Sequence, residues 1–397
     1  MSDLDLVWHR PMVARDVDEA HRVSTPLELF FDLCFVVAVA AAAGELHHSE
    51  GHPDHLATDV VSYLMVFFAI WWAWMNVTWF ASAYDSNDVQ WRISIFVVIA
   101  GALVLAAGVP SAFTDHDFLV VTIGYCIMRT SLVLLWLRAA HDDPPHRATA
   151  QRMALGITVC QLGWVALLFV PAALKMPGFA LLVIAELLVP VIGERRGRTN
   201  WHPGHIAERY SLFTLIVLGE SVLSGSVALG AAVGPDGHLD QVWGIALGGL
   251  LLVFSMWWKY FARSAEDLLT SSRQAFIWGY GHLVVYASAA AVGAGIAVAV
   301  DQATDTAHIS SALAGACVTV PASIYVVTVY WLHLRPRDDA PGRGWTLVGV
   351  PVMLLAAFAP QPVLVAGLVA ASMVAVNVLL DARQVRRGTP GSGARGR

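Results

Sequence analysis

Runs of about 20 apolar residues, the length a helix needs to cross a bilayer core, recur about twelve times along this chain and limit its fold more than any other feature. The first run, PLELFFDLCFVVAVAAAAGELHH from Pro26 to His48, carries Glu28 and Asp32 in its opening turns. Their i to i+4 spacing puts both carboxylates on one helical face, with Phe31 and Phe35 on a neighbouring one. A carboxylate at that depth is costly, so this face is expected to turn toward protein or a wet cavity, not lipid.

The other runs fall at about 58–80, 91–109, 118–137, 153–170, 177–192, 208–229, 242–261, 275–300, 309–333, 345–359 and 362–380. The eleventh is short and carries Pro351, so it reads as tilted, kinked or re-entrant. With 57 % hydrophobic and 14 % charged residues in a chain of 397, a soluble domain is excluded, since such domains carry about 25 % charge. Cys34, Cys126, Cys160 and Cys317 all lie in apolar runs without C-x-x-C spacing and read as packing residues. The first 25 residues lack an apolar core, so helix 1 is expected to direct insertion itself.

Basic residues test the span count independently. With the N-terminus cytoplasmic, 22 of the 24 Lys and Arg fall on the inside, leaving Lys175 outside and Arg129 within helix 4. Both termini are therefore expected to be cytoplasmic. The chain also repeats three landmarks in order. ELFFDLCFVVAV from Glu28 returns as ERYSLFTLIVLGESVL from Glu208, Trp71-Trp72 as Trp257-Trp258, and Arg92 as Arg273, at offsets of 180, 186 and 181. Six spans per half would give two like-oriented repeats. The expected fold is thus all-α, a polytopic integral membrane protein of about 12 transmembrane helices in two parallel six-helix repeats. Its parts are a cytoplasmic segment 1–25, a first repeat 26–193, a cytoplasmic linker 194–207, a second repeat 208–380, and a disordered basic cytoplasmic tail 381–397.

ELFFDLCFVVAV (Glu28 to Val39), WWAWMNVTWFASAYDSNDV (Trp71 to Val89), ERYSLFTLIVLGESVL (Glu208 to Leu223), and WWKYF followed by YGH (Trp257 to Phe261, Tyr280 to His282) stand in an order that resembles the bacterial low temperature requirement protein A family. The resemblance implies a multi-pass protein of the bacterial cytoplasmic membrane linked by name to growth in the cold. It brings neither a substrate nor catalytic residues. Phe31-Asp32 followed by Phe35 is also similar to the F-S-D-x-x-F signature on the first helix of each repeat in a family of lysosomal and bacterial potassium channels, although Ser211-Leu212-Phe213 in helix 7 lacks the acid.

Residues for a substrate or ion pathway follow from charge at depth. Glu220 in helix 7 and Arg129 in helix 4 fall roughly 18 Å into their helices at about 1.5 Å per residue, where each needs an internal partner; pairing with each other is the most economical arrangement. Glu28 and Glu208 suit helix N-termini, and Thr25-Pro26 reads as N-cap and N1. Asp32 lies beyond the cap and is the leading functional residue. Glu186 in helix 6 and His282 in helix 9 also sit in apolar runs, His282 more readily as a neutral ring bonded to a carbonyl than as a proton relay. Asn76, flanked by Trp72 and Trp79, reads as a possible cation contact. An aromatic belt is favoured for the outer members Trp79, Phe80, Tyr84 and Trp91. The loop GELHHSEGHPDH, with Glu45, His47, His48, Glu50, His52, Asp54 and His55, reads as a solvated pH-sensitive acidic surface before a metal site, and the other external loops also favour His and Asp: Asp115-His116-Asp117, His238 and His308. Gly230 to Gly234 and Gly244 to Gly248 read as helix-packing pairs.

No phosphate loop, nucleophile elbow or H-E-x-x-H is present, so an enzyme is not expected, nor a metal or cofactor. The expected partners are membrane lipids and an unidentified small solute or ion, without nucleic acid and with room for an oligomer. The role that fits is movement of that solute or ion across the membrane. The alternatives are a cation channel lined by helices 1 and 7, and a non-transporting sensor or scaffold for growth in the cold.

Overall fold

A computed structural model describes residues 7–16, 19, 22–50, 56–232, 239–335 and 343–388. His52, Asp54, His55, Gly234, His238 and the tail from residue 389 onward lie outside the described residues. All described elements are helical. Each expected apolar run is a helix, and among the described residues ten helices are long and apolar enough to cross a membrane. The two that are not have physical reasons. Helix α6 (Arg147–Leu167) carries Arg147, Gln151, Arg152 and Gln161, and α12 (Arg343–Leu355) has only 13 residues with Pro351 inside it.

The chain forms two compact units, one of residues 1–45 and 57–216, the other of residues 46–56 and 217–397. The first contains most of α1 (Pro26–Glu50) and α2 (Leu56–Tyr84), then α3 (Val89–Ala107), the short α4 (Val109–Thr114), α5 (Leu119–Asp142), α6, α7 (Ala172–Gly193) and the start of α8 (Pro203–Ala232). Helix α2 is its axis. Trp71, Trp72, Trp74, Phe67 and Phe80 are all buried there, whereas Leu33, Phe96 and Leu134 on outer helices are exposed, as expected of a bundle whose outside meets lipid. Asp88 caps α3 by accepting from the Trp91 amide at 2.8 Å. Helices α3 and α5 touch through Gly101 and Gly124, where an added Cβ on Gly124 would collide with the Leu105 backbone.

The second unit holds the rest of α8, α9 (Leu239–Phe261), α10 (Ser272–Ala303), α11 (Ser311–Val329) with a π-turn over Tyr330–Leu334, α12, and α13 (Pro362–Gly388). Helix α10 is enclosed on all sides from Val285 to Val300. Gly248 of α9 lies against the Val363 carbonyl, Leu364 and Gly367 of α13, so the expected Gly244–Gly248 pair does serve close packing.

Three boundaries differ from expectation. Helix α1 continues to Glu50, so Glu45, His47 and His48 are helical and not loop residues; His47 Nε2 meets Asp301 Oδ2 at 2.7 Å. Helix α8 begins at Pro203, not Glu208, because proline at the first helical position needs no amide partner and the His202 ring accepts from the His205 amide at 3.1 Å. Helix α13 runs past residue 381 to Gly388.

Candidate functional site

The start of α1 is built by a capping box. The Thr25 amide donates to Glu28 Oε2 at 2.8 Å, and the Glu28 amide donates to Thr25 Oγ1 at 3.3 Å. This fixes the helix so that Asp32, one turn on, points into the unit with no exposed surface. Arg209, carried into the second turn of α8 by the early start at Pro203, grips Asp32 with both prongs of its guanidinium: Nε donates to Oδ2 at 3.0 Å and Nη2 to Oδ1 at 2.5 Å. The Trp74 indole donates to the same Oδ1 at 2.7 Å. Glu28 Oε1 lies 3.1 Å from Arg209 Nη1, 3.2 Å from His205 Nε2 and 3.8 Å from Arg22 Nη2. Two carboxylates, two guanidiniums and an imidazole thus share one buried site. The Arg209 guanidinium also lies 5.8 Å from the Phe31 ring centre.

At the edge of this network two groups outside the spans respond to it. Burial pushes the Arg22 guanidinium down from its ordinary value, with Glu28 opposing. Asp85, just beyond α2, is pushed up to about 6 by burial, and the Glu28 charge adds to the effect.

The second constellation lies between α2, α5, α6 and α7. Glu186 is wholly buried in α7 and forms an ion pair with Arg129 of α5. Three neutral donors complete its shell: Trp72 Nε1 at 2.8 Å, Tyr125 Oη at 3.2 Å and Trp164 Nε1 at 3.2 Å. Tyr125 and Trp164 also line a cavity of about 640 Å³ that extends past Phe68 and Phe179 to the loop Asp115–Phe118. The carboxylate is therefore sealed behind the two side chains that form one end of an otherwise apolar chamber. Removing one member of such a buried pair leaves the other charge uncompensated, typically at about 3–5 kcal/mol.

The expected pairing of Arg129 with Glu220 is overturned: Arg129 is engaged by Glu186, and Glu220 accepts from Ser224 Oγ at 3.3 Å. Sequence depth alone cannot separate Glu186, which is buried, from Glu220, which is only partly so, when helix adjacency is unknown. Glu208 accepts from the Ser24 amide at 3.1 Å. Asn76 Nδ2 donates to the Trp72 carbonyl at 2.8 Å on its own helix, and the Trp72 indole N–H donates to Glu186. The expected belt is an internal stack: Phe80 meets Trp91 at 5.9 Å and Trp136 at 4.7 Å between ring centres, and Tyr84 and Trp91 are buried. His282 Nδ1 donates to the Trp278 carbonyl at 2.7 Å, so in the neutral ring Nε2 accepts from the Tyr260 hydroxyl at 2.8 Å. Among the described residues no cluster of three or more His, Cys, Asp or Glu is placed to hold a metal.

Sequence reading missed Arg209, Arg22 and His205 as partners of the acids in α1. Arg209 reads as one more inside-facing cation when helix 7 is started at Glu208. Pro203 was the signal for the earlier start. Lys259 reads in sequence only as an inside-facing cation, yet its ammonium is buried in the second unit without a hydrogen-bond partner among the described residues.

Ten helices among the described residues that are long and apolar enough to span a bilayer, with Asp32, Arg129 and Glu186 buried among them, define a multi-pass α-helical membrane protein. Residues 23–382 match the sequence profile of the family described as Bacterial low temperature requirement A protein (LtrA), and the chain belongs to that family. It is also 28 % identical over 318 residues to an uncharacterized protein of Rhizobium meliloti (strain 1021), covering 76 % of this chain and 73 % of that one. No solved structure matches it.

Proposed function

We propose that the protein moves a small solute or ion across the bacterial cytoplasmic membrane and that the buried arginine–carboxylate pairs of the first unit are its gate or coupling groups. The observation that carries this reading is the position of Glu186 behind Tyr125 and Trp164 at one end of the cavity. A solute that reaches this end touches two side chains that also hold the carboxylate. Its arrival and the geometry of the Arg129–Glu186 pair are then linked, because displacing either donor loosens the shell around Glu186. Asp32 and Arg209, with Glu28 and His205 alongside, supply a second ion-pair station in the same unit. With both termini cytoplasmic, the Asp32 end faces the cytoplasm and the loop Asp115–Phe118 faces outward.

Purified protein in proteoliposomes, screened with a panel of labelled solutes and a lumenal pH dye, tests this against Asp32→Asn and Glu186→Gln. The expected result is flux in the wild type that falls about tenfold or more in each variant. Equal flux in all three removes these residues from the mechanism. Fast passive flux insensitive to a proton gradient favours a cation channel lined by α1 and α8. No flux at all, together with loss of growth in the cold for Asp32→Asn, favours a sensor or scaffold.

A further inference from the structure

The cavity of the first unit is unusual in its walls. Its volume of about 640 Å³ is in the range of small-molecule sites. Phe179 is central to it: its ring lies 5.0 Å from Trp164 and 6.4 Å from Phe68, both edge-on, and Trp164 lies 6.3 Å edge-on from Tyr125. All four rings are among the residues that line the cavity, and the face of an aromatic ring carries partial negative charge. Apart from the charged or titratable Asp115, His116, Asp117 and Lys175, the polar side chains among its lining residues are the hydroxyls of Thr58, Ser62 and Thr122 and the Tyr125 and Trp164 groups that Glu186 engages, a sparse set to replace the hydration shell of an inorganic ion. At the loop, Asp115 and Asp117 flank His116, and Lys175 is the one cation among the lining residues. Asp117 Oδ1 accepts from the Leu119 amide at 2.9 Å and Asp115 Oδ2 from Thr114 Oγ1 at 3.1 Å, so one acid is tied to the start of α5 and the other to the end of α4. At the other end of the chamber Glu186 adds no free charge, because Arg129 neutralises it.

We propose that this cavity binds an amphiphilic organic cation, a compact apolar body bearing one delocalised or quaternary positive charge. The inference rests on the reading of the protein as a mover of solutes and names the solute class. Aromatic faces attract such a cation most strongly when it is poorly hydrated, and the apolar body fills a chamber that water-loving ions leave. The two carboxylates draw the positive charge to the mouth and disfavour anions of the same shape. A fatty acid or phosphate ester meets only Lys175 against Asp115 and Asp117.

Titrating the full-length protein in detergent with tetraphenylphosphonium and with tetraphenylborate, two ions of the same shape and opposite charge, tests this through tryptophan fluorescence. Saturable binding of the cation, about tenfold or more tighter than the anion, is expected. Phe179→Leu, which keeps an apolar side chain but removes the π face, should weaken the cation about fivefold to tenfold. Asp115→Asn with Asp117→Asn, confined to the loop and its capping positions, should weaken the cation and not the anion. Equal binding of both ions, or cation binding that neither variant changes, overturns the proposal; the second pattern is what partition into the micelle gives. If Phe179→Leu does not elute as a folded species, the loop variant decides alone. Tight cation binding without flux would overturn the transport reading and leave this site standing. Flux of another solute without cation binding would do the reverse.

Discussion

The two units bury their charges in different ways. In the first, Asp32, Glu28, Arg209, Arg22, Arg129 and Glu186 are all removed from solvent, and each faces an opposite charge. In the second, Lys259 is buried in the last turn of α9 with no hydrogen-bond partner for its ammonium among the described residues. The first arrangement keeps ionised groups charged at depth and makes each dependent on its partner. The second leaves a lone cation helped only by the C-terminal end of its helix dipole, so its removal costs little. Within the first unit the same contrast holds on a smaller scale. Arg129 has one carboxylate and Arg209 has two, so the loss of one acid strands Arg129 completely and Arg209 only in part.

The sharpest break of this comparison is Glu186→Gln. It leaves Arg129 buried without a counter-ion and should lower stability by about 3–5 kcal/mol, read as a fall in the thermal midpoint of detergent-solubilised protein. A loss no larger than that of Asp32→Asn would contradict the single-partner account. Asp32→Asn comes next, at roughly 1–3 kcal/mol, because Glu28 stays 3.1 Å from Arg209 and the Trp74 indole keeps an oxygen acceptor. The double variant with Glu28→Gln should exceed the sum of the two single effects, since only then is Arg209 abandoned.

Asp85 sharpens the comparison through pH. Its carboxyl is held at about 6 when folded, above the ordinary aspartate value, so the folded state binds the proton more tightly than the unfolded one. The sign is that of a penalty: it is fully present above pH 6 and relieved as pH falls from about 6 to about 4. Asp85→Asn should therefore be more stable than the wild type near pH 7.5, by about 2–3 kcal/mol at most, and this advantage should shrink as the pH is lowered toward 4. A pH-independent difference between the two midpoints would show that Asp85 is not buried as an acid. Lys259→Met is the smallest change. It should leave stability within about 1 kcal/mol or raise it, since an apolar stem of similar length replaces an unpaired buried charge. A large loss would reveal a partner for Lys259.

Much of this was legible in the sequence. Length and hydropathy suffice to place the helices, because a lipid-facing helix must be apolar over its whole span. Asp32, Arg129 and Glu186 announce themselves as charges in apolar runs. Their partners do not. Arg209 lies 177 residues from Asp32, and Glu186 lies 57 from Arg129, so both pairings depend on which helices are neighbours. The tryptophans were legible as aromatic and not as donors. Trp72 and Trp74 sit two residues apart on α2, yet one indole serves Glu186 and the other Asp32, since helical residues at that spacing face different sides. The cavity is legible in neither its walls nor its mouth, as it takes α2, α5, α6 and α7 together to enclose it.

The central claim is that the pair behind the cavity works in solute movement and is more than a packing device. The direct measurement is flux per folded molecule in proteoliposomes for wild type and Glu186→Gln, after selecting the monodisperse fraction of each. The account predicts a loss of about tenfold or more in the variant at equal folded protein. Flux unchanged by Glu186→Gln would contradict it and leave Arg129 and Glu186 as structural partners only.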